Sequence, residues 1–290
     1  MNTVSIIGIG RLGTALGRAL HRYGFLIAAI ADRSADAARE SYELIKDENT
    51  LITNTPGAAE AADIIFLTVP DDSLAAVIDQ LRNVRLPWEE KTVFHCSGLH
   101  TAALLNPLQI QGARTASFHP IQSFAKKDGG PESFSGITFG IEGEAAALDQ
   151  ARSLIEILGG HALVLDQKQK PLYHAACSMA SNLFVVLTGL AVDLLEQTGL
   201  ESESAFAALA PLIRGTLKNM SDSGPQPSLT GPLKRGDVDS VAAHLKALEA
   251  YPAAAAVYRW LSLQALEWIL SDKTLNSEKT AALENLLKGK

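Results

Sequence analysis

Three glycines, Gly8, Gly10 and Gly13, stand in the order G-x-G-x-x-G between the apolar run Val4–Ile9 and a helical pattern over Thr14–Tyr23. A strand, a glycine turn and a helix in that order make a phosphate-binding start. Gly8 permits the tight turn, Gly10 lets a pyrophosphate approach the backbone, and Gly13 lets helix and strand pack closely. Arg11 and Leu12 fall where the helix opens, and free N–H groups at a helix N-terminus favour an anion. Asp32 follows Gly13 by 19 positions, at the end of the next apolar run, where a carboxylate can accept from a ribose 2′-hydroxyl and select NAD. Arg33 and Ser34 come directly after it and suit the 2′-phosphate of NADP. The two signals compete. We expect NADP, with Asp32 turned toward the 3′-hydroxyl or the loop, and NAD as the alternative.

Further candidates end later apolar runs, where an open α/β sheet binds its ligands. Thr68, Val69 and Pro70 end one run and are placed to line the nicotinamide ribose. His95, Cys96 and Ser97 end the next; Ser97 can bond the carboxamide or the substrate, and Cys96 reads as a small buried hydrophobe. His119, before Pro120, ends a third, and a histidine exchanges protons near neutral pH, as reduction of a carbonyl or imine requires. Lys170, His174, Ser178 and Asn182 recur at every fourth residue and share one stripe of a helix. Such a stripe on an otherwise apolar helix is costly to bury without partners, which places it beside a ligand. His174 is the expected proton donor of the stripe, with Lys170 and Asn182 orienting the substrate. Arg235 can reach an acidic substrate, and Asp237 reads as a helix cap.

These residues need a frame. Apolar runs at Phe25–Ala31, Leu51–Thr53, Asp63–Val69, Thr92–Cys96, Thr115–Phe118, Ile137–Ile141 and Ala162–Leu165 read as strands. Helical segments at Ala35–Lys46, from Asp71 to Leu81 and at Ala145–Leu158 separate several of them, with Ser34 and Asp71, Asp72 or Ser73 as caps. Continuous apolar strands between helices predict a doubly wound, mainly parallel α/β sheet covered on both faces. After the polar linker Asp166–Lys170 only helices are expected, at Leu172–Glu196, Glu203–Ser221, Asp237–Ala250, Pro252–Leu270 and Ser277–Lys288. The loop Ser223–Arg235 is the long connection among them. The division is a Rossmann dinucleotide-binding domain over 1–168 and an all-helical substrate and dimerisation domain over 169–290.

Composition agrees with this frame. The 290 residues allow two domains, and 47% hydrophobic residues exclude a disordered chain. A net charge of −7 argues against nucleic acid as partner. Cys96 and Cys177 have no metal-ligand or disulfide spacing, so no metal is expected and a reducing cytoplasm is. The start Met1-Asn2-Thr3 has no basic segment or cleavage site and does not read as a signal peptide. Ala175–Val192 is uncharged and long enough to span a membrane, but its Ser178, Ser181, Asn182 and Thr188 favour a buried core helix. Pro252–Leu270 is apolar nearly all round and must be buried, which predicts a homodimer through the helical domain.

With its Rossmann start at residue 3, Thr68-Val69-Pro70 and the long helix after residue 171, the chain resembles the 6-phosphogluconate dehydrogenase-like superfamily. Within it, the chain is most similar to a little-characterised branch named as NADP oxidoreductases, whose helical domain has no assigned function. The stretches that carry this likeness are His95-Cys96-Ser97-Gly98, Ser117 to Phe124, Tyr173-His174-Ala175-Ala176, Ser181-Asn182, Leu229 to Pro232 and Arg235-Gly236-Asp237. The resemblance implies the fold and hydride transfer with NAD or NADP, and it implies no substrate. Related prephenate and arogenate dehydrogenases carry a His-Pro loop similar to His119-Pro120. Related hydroxyacid dehydrogenases pair a lysine with an asparagine four residues on; here Lys170 is followed by His174, so a lysine acid does not carry over.

The expectation is therefore an NAD(P)-dependent oxidoreductase acting on a small polar carbonyl or imine in a cleft between the domains. Ketopantoate-reductase-like or prephenate-dehydrogenase-like specificity is the alternative within enzymes. A dinucleotide-binding sensor without chemistry, or a helical scaffold, are the alternatives outside them.

Overall fold

The structure is a computed structural model that describes residues 3–271 and 275–289. Met1 and Asn2, on which the reading of the N-terminus rests, lie outside the described residues. Two compact units divide after Leu183.

In the first unit the strands are β1 (Thr3–Ile7), β2 (Leu26–Ala31), β3 (Leu51–Thr53), β4 (Ile64–Leu67), β5 (Thr92–His95), β6 (Arg114–Pro120), β7 (Thr138–Gly143) and β8 (His161–Val164). Among the described residues they form one sheet in the order β3-β2-β1-β4-β5-β6-β7-β8. The first six run parallel; β7 pairs antiparallel with β6, and β8 parallel with β7. Chain order reverses between β1 and β4, so their carboxyl ends open a crevice at the switch point.

The helices are α1 (Arg11–Arg22), α2 (Ala35–Ile45), α3 (Thr55–Ala61), α4 (Asp71–Arg82), the short α5 (Asn106–Gln109), α6 (Ala145–Ile157) and α7 (Lys170–Ser178). Burial of the central strands β1, β4, β5 and β6 explains their unbroken apolar runs, whereas the edge strand β8 is exposed along its length. One face packs against α1, α2 and α6 and carries a ladder of Phe66, Phe94, Phe118 and Phe139, with successive ring centroids 5.0–5.5 Å apart. The other packs Leu74, Ile78 and Leu81 of α4 with Trp88 and Leu105.

Several expectations change. Ser34 caps α2, accepting from the Ala37 N–H, but α4 is capped by no side chain: Pro70 is its N-cap, and Asp71 and Asp72 sit in the first turn. There their charge still complements the helix dipole. The linker 166–170 is a 3₁₀ turn closed by a capping box between Asp166 and Gln169, so α7 starts at Lys170. Helices α3 and α5 were not foreseen; each is short and has proline in its first turn.

The long helix expected from Leu172 to Glu196 is interrupted by a π-helical turn, Met179–Leu183, before α8 (Phe184–Glu196). It is not a buried core helix. Among the described residues the run Gln167–Glu196 is the one helix long and apolar enough to cross a membrane, and only 6% of its most apolar window is buried. Leu172 is 77% and Val185 69% exposed.

The second unit continues with α9 (Ser202–Ser223), which accommodates Pro211, then α10 (Pro232–Arg235), α11 (Val238–Ala247), α12 (Pro252–Ser271) and α13 (Ser277–Lys288). Helix α10 interrupts the long loop. Asp237 caps α11 by accepting from the Ser240 N–H at 3.0 Å. Val241, Leu245, Leu266, Ile269, Leu283 and Leu287 form a small core. Helix α12 is buried on one side only: Leu266 and Ile269 belong to that core, while Trp260 is 72% exposed.

Candidate active site

Gly8 ends β1 with φ +95°, a left-handed conformation that costs glycine least. A Cβ there would also lie 2.5 Å from the Val69 side chain. Gly13 is held by space: its Cβ would meet the Gly8 carbonyl at 2.5 Å and the Thr68 hydroxyl at 2.6 Å. Gly10 differs, because a Cβ there would meet nothing within 4 Å. It is the N-cap of α1, and no side chain caps that helix. The first N–H groups of α1 therefore have no side-chain cap and start beside a bare glycine with open space on its Cβ side, which fits a pyrophosphate.

The residues around this turn brace it. The Thr68 hydroxyl donates to the Gly8 carbonyl at 2.5 Å. Asp32 accepts from the Ile9 N–H and from the Ser34 N–H, both at 2.9 Å. Each Asp32 oxygen thus holds backbone, one on the glycine turn and one on the start of α2. Arg33 and Ser34 are exposed beside it.

A second group of polar side chains gathers at the ends of β5 and β6 and on α7. His95 is fully buried; its Nε2 bonds the Thr101 carbonyl at 3.1 Å, and its Nδ1 accepts from the Ser97 N–H at 3.3 Å. A carbonyl only accepts, so Nε2 bears the proton. Burial, then the Lys170 charge, hold its pKa down at about 3. The Ser97 hydroxyl donates to Asp71 at 2.9 Å and accepts from the N–H groups of Leu99 and His100. That exhausts a hydroxyl, so Ser97 shapes the turn after β5 instead of presenting a free group. Cys96 is buried, and burial pushes its thiol up to about 12.

Lys170 has no exposed surface. Its ammonium donates to the Ser97 carbonyl at 3.0 Å and to the Ser117 hydroxyl. Burial lowers its pKa to about 8, against the pull of Glu142, Cys96 and Asp71. It ties the first turn of α7 to β5 and β6.

His119 and His174 meet. Their rings stand edge to face with centroids 6.1 Å apart, and both close on Gly98. A Cβ at Gly98 would lie 2.9 Å from His119 Nε2 and in collision with His174 Nδ1. His174 Nδ1 is buried with no hydrogen-bond partner. His119 Nδ1 is 2.6 Å from the Tyr173 hydroxyl. Burial, then the charges of Lys170 and His174, lower the His119 pKa to about 4, with Asp71 opposing. His119 is accordingly neutral at pH 7, and its Nε2 and the His174 Nδ1 both face Gly98.

The structure thus brings together His119, His174, Lys170 and Ser97, and separately Gly8, Gly10, Arg11, Leu12, Gly13, Asp32, Arg33, Ser34, Thr68, Val69 and Pro70 at the β1/β4 crevice. Ser178 ends α7, and Asn182 is exposed inside the π turn, where the wider spiral breaks the four-residue stripe. Arg235 lies in the second unit. The sequence marks Asp71 only as a cap candidate and Gly98 and Tyr173 only within longer stretches, and it assigns Gly140 no part. Tyr173 stands three residues after Lys170 and one before His174, and helical spacing of three alone could have flagged it.

Residues 2–120 match the family model described as a Rossmann-like domain, and residues 137–265 match the domain of unknown function DUF2520. No curated protein matches the chain. Among solved structures it is similar to "putative NADP oxidoreductase BF3122" from Bacteroides fragilis, 24% identical, over 91% of this chain and 97% of that one, with a TM-score of 0.75. Protein TM1727 from Thermotoga maritima is 25% identical over 93% of this chain and 99% of its own, with a TM-score of 0.73. Pyrroline carboxylate reductase from Plasmodium falciparum, solved with NADP bound, has the same fold at 14% identity, over 98% of each chain, with a TM-score of 0.60. Two separate domain models thus match the two parts of the chain, and the whole chain shares its fold with these solved structures.

Proposed function

We propose that the protein is an NADP-dependent oxidoreductase that reduces a small polar carbonyl or imine. The observation that carries this reading is the uncapped start of α1 beside open Gly10, on the same sheet edge as the His119–His174 pair. Gly8, Gly10, Arg11, Leu12 and Gly13 hold the pyrophosphate, and Thr68, Val69 and Pro70 border the nicotinamide ribose. The nicotinamide, when bound, supplies the hydride. Exposed Arg33 and Ser34 stand beside Asp32, whose oxygens each hold one backbone N–H, and they suit the 2′-phosphate of NADP. His119 and His174 bond the substrate heteroatom and serve its proton. Lys170 and Ser97 act from behind, fixing the turn that carries Gly98.

The likeness to a pyrroline carboxylate reductase adds weight to imines. The division of labour follows the sequence, with 1–168 for the dinucleotide and 169–290 for substrate and dimerisation. A second copy covering the exposed apolar sides of α8 and α12 completes the assembly, and the compartment is the cytoplasm.

Isothermal titration with NADP and NAD, then a screen of 2-keto acids, imines and semialdehydes at the nicotinamide absorbance band, tests the reading. Preferred binding of NADP with turnover of one class supports it. Tight binding without turnover supports a dinucleotide sensor instead.

A further inference from the structure

We infer that Tyr173 is a positioning residue that fixes which nitrogen of His119 carries the proton, an inference that rests on His119 facing the substrate as proposed above. The geometry has two independent parts. The Tyr173 hydroxyl lies 2.6 Å from His119 Nδ1, and the two rings stand at 88° with centroids 5.6 Å apart. The phenol reaches that point by lying on Gly140, the residue paired with His119 across the β6–β7 ladder. A Cβ at Gly140 would lie 2.6 Å from the phenol Cζ and collide with the hydroxyl. Gly140 is not among the residues with positive φ, so space, not backbone freedom, is what its missing side chain provides. Glycine inside a strand marks such close approaches.

Burial raises the Tyr173 pKa, so the group stays a hydroxyl with one proton to give, and a backbone hydrogen bond from Gly140 occupies its oxygen. The Cys177 side chain is its other hydrogen-bond partner; an imidazole nitrogen accepts more strongly than a thiol sulfur, which is a weak acceptor, so the proton points to Nδ1. A neutral imidazole that accepts at Nδ1 carries its own proton on Nε2. Nε2 is the nitrogen turned toward Gly98, so His119 presents an N–H donor there, suited to a carbonyl oxygen or imine nitrogen that gains electron density. Without the hydroxyl the two tautomers become comparable, and the half with the proton on Nδ1 offers no donor.

The test uses histidine labelled with ¹⁵N in the full chain, read by long-range proton–nitrogen correlation without cofactor or substrate. His119 should show the Nε2–H pattern in the wild type between pH 6 and 8. Tyr173→Phe, which keeps the ring, should give averaged nitrogen shifts, and Gly140→Ala, which displaces the phenol, should do the same. With the best substrate, Tyr173→Phe should lower kcat about tenfold or more with little change in the NADP Kd. An Nδ1–H pattern in the wild type, or an Nε2–H pattern unchanged in Tyr173→Phe, overturns the inference. The nitrogen readout needs no turnover. A fixed Nε2–H tautomer in a protein that reduces nothing would therefore sink the proposed reaction and leave the positioning role standing.

Discussion

Gly98 is where single atoms decide the site. Two imidazoles close on it, so Gly98→Ala must move both rings, and displacement by about 1 Å of a positioned group costs on the order of 10²-fold in rate. We predict that loss in kcat/KM with NADP affinity unchanged; equal activity in Gly98→Ala would remove the histidine pair from the reaction. The same burial has a cost in acid. His119 titrates at about 4 and His95 at about 3, both below the ordinary value of 6.5. Below pH ~6.5 the unfolded chain takes up protons that the folded chain refuses, so stability is full above that pH and falls as pH drops toward 4. Each histidine adds a slope of ~1.4 kcal/mol per pH unit inside this window. Urea midpoints at pH 7 and pH 5.5 should differ accordingly, and His119→Asn should reduce the difference. The sequence told that His119 ends a strand and that His174 shares a helix stripe with Lys170. It did not tell that Lys170 would be wholly interior, because only the carbonyl of Ser97 and the hydroxyl of Ser117, distant in sequence, make its burial tolerable.

At the level of elements, the turn from β1 to α1 separates binding from folding. Gly8 and Gly13 are required by backbone and neighbours, whereas Gly10 has free space on its Cβ side. Gly10→Ala should leave the thermal midpoint nearly unchanged and weaken NADP binding at least tenfold, as a methyl enters the pyrophosphate's approach. Gly8→Ala should instead lower stability by about 1–3 kcal/mol through strain. A parallel loss of stability in both variants would mean that the turn is structural. Strand and helix order were legible here because apolar continuity and capping residues such as Ser34 are local signals. The reversal of β7 and β8 was not, since an apolar strand reads alike in either direction. Nor was the π turn at Met179–Leu183, which contains no glycine or proline to mark it.

For the whole molecule, the same apolar content that suggested buried helices lies largely on exposed faces of α8, α9 and α12, with Val185, Phe206, Leu212 and Trp260 each more than half exposed. Exposure of that kind marks an interaction surface. Sedimentation equilibrium at micromolar concentration should give twice the 30.8 kDa of one chain, and a monomer would reject the dimer. Composition pointed to apolar helices but was blind to whether the chain or a second copy covers them.

A dinucleotide held at the glycine turn should deliver its hydride beside His119 and His174. Steady-state oxidation of NADPH with the best substrate of the screen, compared between the wild type, His119→Ala and His174→Ala, tests it most directly. Both variants should bind NADPH as the wild type does, and each should lose about 10²-fold or more in kcat. Full turnover in both variants would contradict it.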